Sequence, residues 1–99
     1  MNLINQNINQ LSRLCNQHKV EHMYLFGSAT TNNFSDKSDI DFLVKFKSSG
    51  IKDYFTNYLK LKTNLTNLLG RDVDLVEEQA LKNPILIRSI NKSKELIYG

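Results

Sequence analysis

Three aspartates and one Gly-Ser turn carry most of the chemical information in this sequence. Gly27-Ser28 is followed, after ten intervening residues, by Asp39-Ile40-Asp41, and a further aspartate, Asp74, sits between Val73 and Leu75. On a β-strand successive side chains point to opposite faces, so Asp39 and Asp41 project to one side while Ile40, Phe42 and Val44 face the other. With a rise of about 3.3 Å per residue, the two aspartate Cβ atoms would stand about 6–7 Å apart. Two negative charges at that range repel by roughly 2–3 kcal/mol at an effective dielectric near 20. A core strand has little reason to carry that repulsion unless a cation resolves it. An all-oxygen donor set of this kind suits magnesium or manganese better than zinc.

Asp74 extends the same pattern to another strand. In Asp72-Val73-Asp74-Leu75-Val76 the two apolar residues Val73 and Leu75 point one way, and Asp72, Asp74 and Val76 the other. Asp74 lies inside the segment, as Asp41 does, and is the better candidate to complete a metal site if the two strands are neighbours. Asp72 follows Arg71 at the strand's mouth and reads as exposed or ion-paired. Gly27-Ser28 supplies a candidate phosphate cradle. Glycine lets the backbone turn tightly and approach a ligand closely. A helix opening at Ser28 would aim its first N–H groups at an anion. Taken alone, the aspartate pair also fits a solvated turn running into an open sheet face, and a Gly-Ser pair fits a plain turn. It is the combination that points to phosphoryl chemistry.

The elements that must position these residues follow from periodicity. Ile4, Ile8, Leu11 and Cys15 recur on one face of a helix over residues 3–18. Residues 22–26 read as a short buried strand stopping at Gly27, and residues 39–46 as a second strand. Residues 51–69 form the clearest helix, with Gly70 placed for a left-handed cap. A third strand over 72–76, a helix over 84–92 opened by Asn83-Pro84, and a last short strand over 95–98 complete the order. Leu43 falls on the aspartate face, so part of that face must also be covered. The architecture expected is α+β: a small mixed β-sheet with helices packed on one face.

Composition narrows the class without naming a function. The chain has 99 residues, one cysteine and a net charge of +3. That length holds one hydrophobic core. The thirteen basic residues are scattered, and the nearest to a patch, Lys82, Arg88, Lys92 and Lys94, reads as solvated surface, so direct nucleic-acid binding is not expected. No apolar run is long enough to span a bilayer. The start lacks a signal-peptide pattern, and Cys15 has no partner for a disulfide, so a cytoplasmic location is expected. Cys15 reads as core, and His18 and His22 as packing or surface residues rather than metal ligands.

Leu25-Phe26-Gly27-Ser28, Ser38-Asp39-Ile40-Asp41-Phe42-Leu43-Val44 and Val73-Asp74-Leu75-Val76 together resemble the minimal nucleotidyltransferases of the DNA polymerase beta-like superfamily. The resemblance spans almost the whole chain and extends to the segment 90–98. The ten-residue gap is similar to that of the antitoxin members, which are paired with HEPN-class toxins, helical ribonucleases. The resemblance implies a polymerase beta-like fold and a single nucleotidyltransferase domain over residues 1–99. It implies that Asp39, Asp41 and Asp74 are catalytic and hold two magnesium ions, and that Gly27 and Ser28 bind the phosphates of ATP. It further implies transfer of AMP to a tyrosine hydroxyl of a HEPN toxin partner in a hetero-oligomer.

Many relatives carry an arginine soon after the serine and a glycine a few residues later. This chain has Ala29-Thr30-Thr31-Asn32-Asn33 there, with Lys37 the nearest downstream cation. That departure motivates a rival reading, a non-catalytic antitoxin that neutralises its partner by covering it. A third reading is transfer to a small molecule of the aminoglycoside type. No residue in the motif specifies adenine.

Overall fold

The computed structural model describes residues 2–27 and 39–99. Met1 and residues 28–38 lie outside the described residues. That span includes Ser28, the helix expected to open there, Lys37 and the departure at Ala29–Asn33. The element order is α1 (Asn2–Gln6), α2 (Ile8–Gln17), β1 (Val20–Phe26), β2 (Ile40–Phe46), α3 (Tyr54–Leu69), β3 (Val73–Glu77), α4 (Pro84–Ser93) and β4 (Glu95–Tyr98), with a short 3-10 turn over Glu78–Ala80.

The amino-terminal helix predicted as one piece is two. Asn7 breaks it, at φ −113° and ψ 15°, and its side-chain amide donates to the Leu3 carbonyl at 2.8 Å. A short polar side chain that bonds nearby backbone offers the chain an alternative to continuing the helix. The apolar stripe survives the break: Ile4, Leu11 and Cys15 are buried and Ile8 packs against them. Helix α3 starts three residues later than its periodicity suggested. Asp53 caps it, accepting from the Thr56 amide at 3.1 Å and the Thr56 hydroxyl at 2.8 Å. Ile51, left outside the helix, still packs on the core. At the other end Gly70 takes φ +67°, and its N–H reaches the Thr66 carbonyl at 2.9 Å. Asn83 caps α4 through its side-chain oxygen ahead of Pro84.

The four strands form one mixed sheet in the order β3-β2-β1-β4. β1 runs antiparallel to β2 and to β4, while β2 and β3 are parallel. The parallel pair follows from length. Seven residues of β2 advance about 23 Å, and sixteen residues of α3 return about 24 Å. β3 therefore begins again at the end of the sheet where β2 began. Ile40, Phe42, Val44 and Phe46 of β2, Val73 and Leu75 of β3, and Met23 and Leu25 of β1 share one core with Leu11, Cys15, Leu61, Leu65 and Leu69 from the helices. Burying each large apolar side chain contributes about 1.5–3 kcal/mol.

The opposite face carries Asp41 and Leu43. Leu43 and Ile90 are both buried but stand outside that main core. Leu43 lines a cavity together with Leu81, Ile87 and Ile90, so α4 and the segment before it provide the cover that the sequence required.

Candidate functional site

Asp41 and Asp74 are register partners across the parallel β2–β3 ladder. Strands in a sheet lie about 4.8 Å apart and paired residues share a face, so the two carboxylates stand side by side on the face away from the main core. Asp41 is half-buried and Asp74 exposed. Asp39 is also exposed and sits one residue before β2 begins. The ladder is anchored at this point: the Ile40 amide donates to the Asp72 carbonyl at 3.0 Å. Burial raises the Asp41 carboxyl above the usual carboxylate value, and the negative charges of Asp74 and then Asp39 raise it further. Asp41 therefore feels two further aspartates, Asp74 on β3 and Asp39 just before β2.

Gly27 closes the site from the side of β1. Phe26 pairs with Asp41 across the antiparallel ladder, which brings the next residue against the Asp41 side chain. A Cβ built on Gly27 would overlap the Asp41 carboxylate, and its φ is +75°. Both the space and the backbone conformation call for glycine. Ser28, expected to complete the phosphate cradle, lies outside the described residues.

The donor set fits a hard divalent cation supported by its substrate. Among the described residues no three His, Cys, Asp or Glu side chains close into a ready-made ion cage. Magnesium is ordinarily held by one or two carboxylates together with waters and substrate phosphates, without a dedicated all-protein cage. Asp41 and Asp74, with Asp39 at their edge, supply carboxylate oxygens of that kind.

Two tyrosines of α3 lie near acidic residues of β3. The Tyr58 hydroxyl donates to the Leu75 carbonyl, beside Asp74. Burial, then the charges of Asp74 and Glu77, raise the Tyr58 hydroxyl pKa. Tyr54 is raised by burial and by Glu77. Both fall within the helix expected over 51–69, but only the packing of α3 against β3 puts Tyr58 next to an aspartate.

The remaining candidates fall elsewhere. Cys15 is wholly buried and burial pushes its thiol up to about 12. His18 is clamped by α3: Nδ1 lies 3.0 Å from Asn57 Oδ1 and Nε2 lies 3.3 Å from Asn64 Nδ2. His22 Nε2 meets Glu78 Oε2 at 2.6 Å. Lys82, Arg88 and Lys92 are exposed, and Lys94 lies over the Tyr24 ring at 4.3 Å.

Residues 9–99 match the family described as polymerase beta, nucleotidyltransferase. The chain belongs to that family. As a nucleotidyltransferase it is similar to two proteins of Methanocaldococcus jannaschii, each named "putative protein adenylyltransferase". One is 42% identical over 82 residues, covering 83% of this chain and 79% of the relative. The other is 35% identical over 85 residues, covering 86% and 82%. Among solved structures, a minimal nucleotidyltransferase superposes with a TM-score of 0.76 at 27% identity, covering 92% of this chain and 89% of its own. A chain of a toxin–antitoxin complex with AMP-PNP superposes with a TM-score of 0.72 at 25% identity, covering 94% and 73%. A complex of a tri-AMPylated Shewanella oneidensis HEPN toxin with its MNT antitoxin shares the fold, with a TM-score of 0.67 at 23% identity over 97% and 72%. The family's nucleotidyltransferase fold is thus the mixed sheet and helices described above. Among the described residues of this nucleotidyltransferase, no helix is long and apolar enough to cross a membrane.

Proposed function

We propose that this nucleotidyltransferase is a magnesium-dependent protein adenylyltransferase. It transfers AMP from ATP to a tyrosine hydroxyl of a HEPN-class ribonuclease toxin and so acts as the toxin's antitoxin. The observation that carries the reading is the side-by-side placement of Asp41 and Asp74 with Asp39 close enough to perturb Asp41. Further support comes from relatives named as protein adenylyltransferases and from the superposition on a toxin–antitoxin complex carrying an ATP analogue.

In this reading the acceptor hydroxyl oxygen forms a bond to the α-phosphorus of ATP. The bond from that phosphorus to the pyrophosphate oxygen breaks, and pyrophosphate leaves with its electron pair. The hydroxyl proton passes to Asp74, the more open of the paired carboxylates. Asp39 and Asp41, with Asp74, would hold two magnesium ions, which supply charge neutralisation at the phosphates. Gly27 leaves room for the nucleotide beside Asp41, and Ser28 is assigned the terminal phosphates. The fold over residues 1–99 acts as one nucleotidyltransferase domain, and the partner protein brings the acceptor.

The test is incubation of the intact chain with labelled ATP, magnesium and the protein encoded beside it. Label on a tyrosine of that partner is the expected result. Absence of transfer, while a known adenylyltransferase works under the same conditions, overturns the proposal. Replacing Asp39 and Asp41 with asparagine separates catalysis from neutralisation by covering: the enzyme reading requires loss of neutralisation in a folded variant.

A further inference from the structure

Lysines that lie far apart in the sequence meet at one end of the fold, where β1 begins and β2 finishes. Two adjoining cavities open there and share Ile51 as a wall. One, of about 250 Å³, has Lys19, Lys52 and Lys60 in its lining. The other, of about 410 Å³, has Lys45 and Lys47. We infer that this end of the sheet binds a chain of phosphates, the anion that RNA and inorganic polyphosphate both present. The inference does not depend on the reading of the aspartate site.

Backbone geometry brings the lysines together. Val20 of β1 stands opposite Phe46 of β2, and just beyond that pair the Lys47 amide donates to the Lys19 carbonyl at 2.8 Å. Lys19 follows α2 in left-handed backbone, at φ +60°. Its Cε lies 3.9 Å from where a Cβ on Gly50 would stand, so the side chain runs past the turn that leads into α3. Asp53 then caps α3, which sets Lys52 just ahead of the helix and Lys60 about two turns into it. Both close on the cavity that Lys19 enters.

Charge at this end favours an anion. All five lysines are exposed, and among the described residues only Lys45 of the five stands in a salt bridge, with Glu21 at 3.2 Å. Asp53, the other carboxylate in the lining, has both oxygens bonded to Thr56. Of the carboxylates close by, Glu77 is bonded to Tyr54 and Glu78 to His22. Lysines gathered without matching counter-charge repel one another, and a bound polyanion removes that repulsion. Lys47 stands about 20 Å from Asp41 along the strand direction, so neither cavity belongs to the aspartate site.

Residue type decides between phosphate and carboxylate. The planar fork of arginine matches a carboxylate in two bonds, whereas lysine acts as a point charge well suited to phosphate. Neither cavity has an arginine in its lining. Gln17 in one and Ser48 and Gln79 in the other add neutral hydrogen-bond donors. Two cavities side by side suit a chain of phosphates better than a lone ion. Contacts to phosphate carry no sequence information, so RNA bound here would be held without regard to its bases.

The experiment adds the full chain to a short labelled oligouridylate in EDTA, so that no metal bridges phosphate to the aspartates, and follows fluorescence anisotropy. Inorganic polyphosphate is titrated by calorimetry and, beside polyglutamate of equal charge, is used as a competitor. Binding is expected at low salt, with polyphosphate displacing the RNA and polyglutamate failing to. Lys19→Asn, which suits left-handed backbone, Lys52→Gln and Lys60→Gln should each weaken binding. Each should also lower the slope of log affinity against log salt by about 0.7, and the triple variant should lose binding. Arg88→Gln with Lys92→Gln removes charge from α4 instead and should leave affinity unchanged. Whichever of RNA and polyphosphate binds more tightly names the source of the phosphates, and either supports the inference. Binding of neither overturns it. So does an equal loss in the α4 pair, which would reduce the effect to net charge. Polyglutamate competing as well as polyphosphate also overturns it, in favour of a dock for an acidic protein. Nucleotidyl transfer plays no part in the measurement, so failure here leaves the proposed function untouched.

Discussion

Asp41 on β2 and Asp74 on β3 are paired residue for residue across a parallel ladder, and the negative charge of Asp74 adds to the burial that holds the Asp41 carboxyl above its ordinary pKa. A carboxyl whose folded-state pKa is raised favours the folded state below its unfolded pKa. That contribution is lost as pH rises through the folded value. At neutral pH ionised Asp41 therefore works against stability unless a cation is present. Asp41→Asn is expected to raise the Tm at pH 7 without magnesium, with the gain shrinking towards zero as the pH falls below the carboxylate range. Added magnesium should stabilise the unaltered chain more than the variant. The same substitution should reduce nucleotidyl transfer by at least about a hundredfold, since a lost metal contact removes several kcal/mol of charge stabilisation. A variant less stable than the parent at pH 7 in chelator would refute this account of Asp41.

Gly27 and Gly70 both adopt left-handed backbone, at φ +75° and +67°, yet they should respond differently to the same change. A Cβ at Gly70 would meet nothing within 4 Å, whereas one at Gly27 would overlap the Asp41 carboxylate. Gly70→Ala should cost only the left-handed penalty, about 1–2 kcal/mol, and leave transfer per folded molecule unchanged. Gly27→Ala should cost that much and in addition displace Asp41, lowering both magnesium affinity and transfer. Denaturant melts paired with single-turnover assays measure the two effects. Equal losses of activity in both variants would mean that Gly27 is needed for folding alone.

The contrast between what the chain's pattern disclosed and what it withheld has a physical origin. Alternation with period two marked Ile40, Phe42 and Val44 as core and set Asp41 on the far face, because one buried face dictates the parity of a strand. Parity does not give register. That Asp74 meets Asp41 depends on α3 returning the chain by nearly the length of β2, a match visible only once Asp53 and Gly70 have set the helix ends. The break at Asn7 was hidden because the apolar stripe continues through it. The pairing of His18 with Asn57 and Asn64 joins residues 39 and 46 positions apart, and the contact of His22 with Glu78 spans 56. No local pattern encodes such contacts. The cavity beneath α4 was foreshadowed only by Leu43, an apolar residue on the carboxylate face.

His18 is a structural clamp, and its removal should be felt in stability alone. Asn57 donates through Nδ2 to the His18 carbonyl at 2.8 Å and presents Oδ1 to Nδ1. The ring therefore carries its proton on Nδ1 and accepts from Asn64 at Nε2. Residue 18 is buried at the exit of α2, so these bonds tie the turn before β1 to α3. His18→Ala leaves the side chains of Asn57 and Asn64 short of partners, at a cost of about 1–3 kcal/mol. The midpoint of urea unfolding should fall accordingly, with magnesium affinity and transfer rate per folded molecule unaltered. A variant that keeps its stability but loses transfer would place His18 in the reaction.

Cys15 is the thiol to use as a reporter of opening. It is fully enclosed, with Sγ 3.9 Å from Met23 Sδ, and burial pushes its pKa up to about 12. The thiolate is the nucleophile, so at pH 8 the native thiol is both covered and protonated. Labelling by an aromatic disulfide should then proceed only through molecules in which α2 has left the sheet, and its rate should rise with denaturant in step with the unfolded fraction. Magnesium with ATP, if they bind the folded site, should slow labelling by the factor they add to stability. Full labelling within seconds in the absence of denaturant would show that α2 is docked loosely. In that case the sheet bearing Asp41 and Asp74 would lack the rigid backing that a shared metal requires.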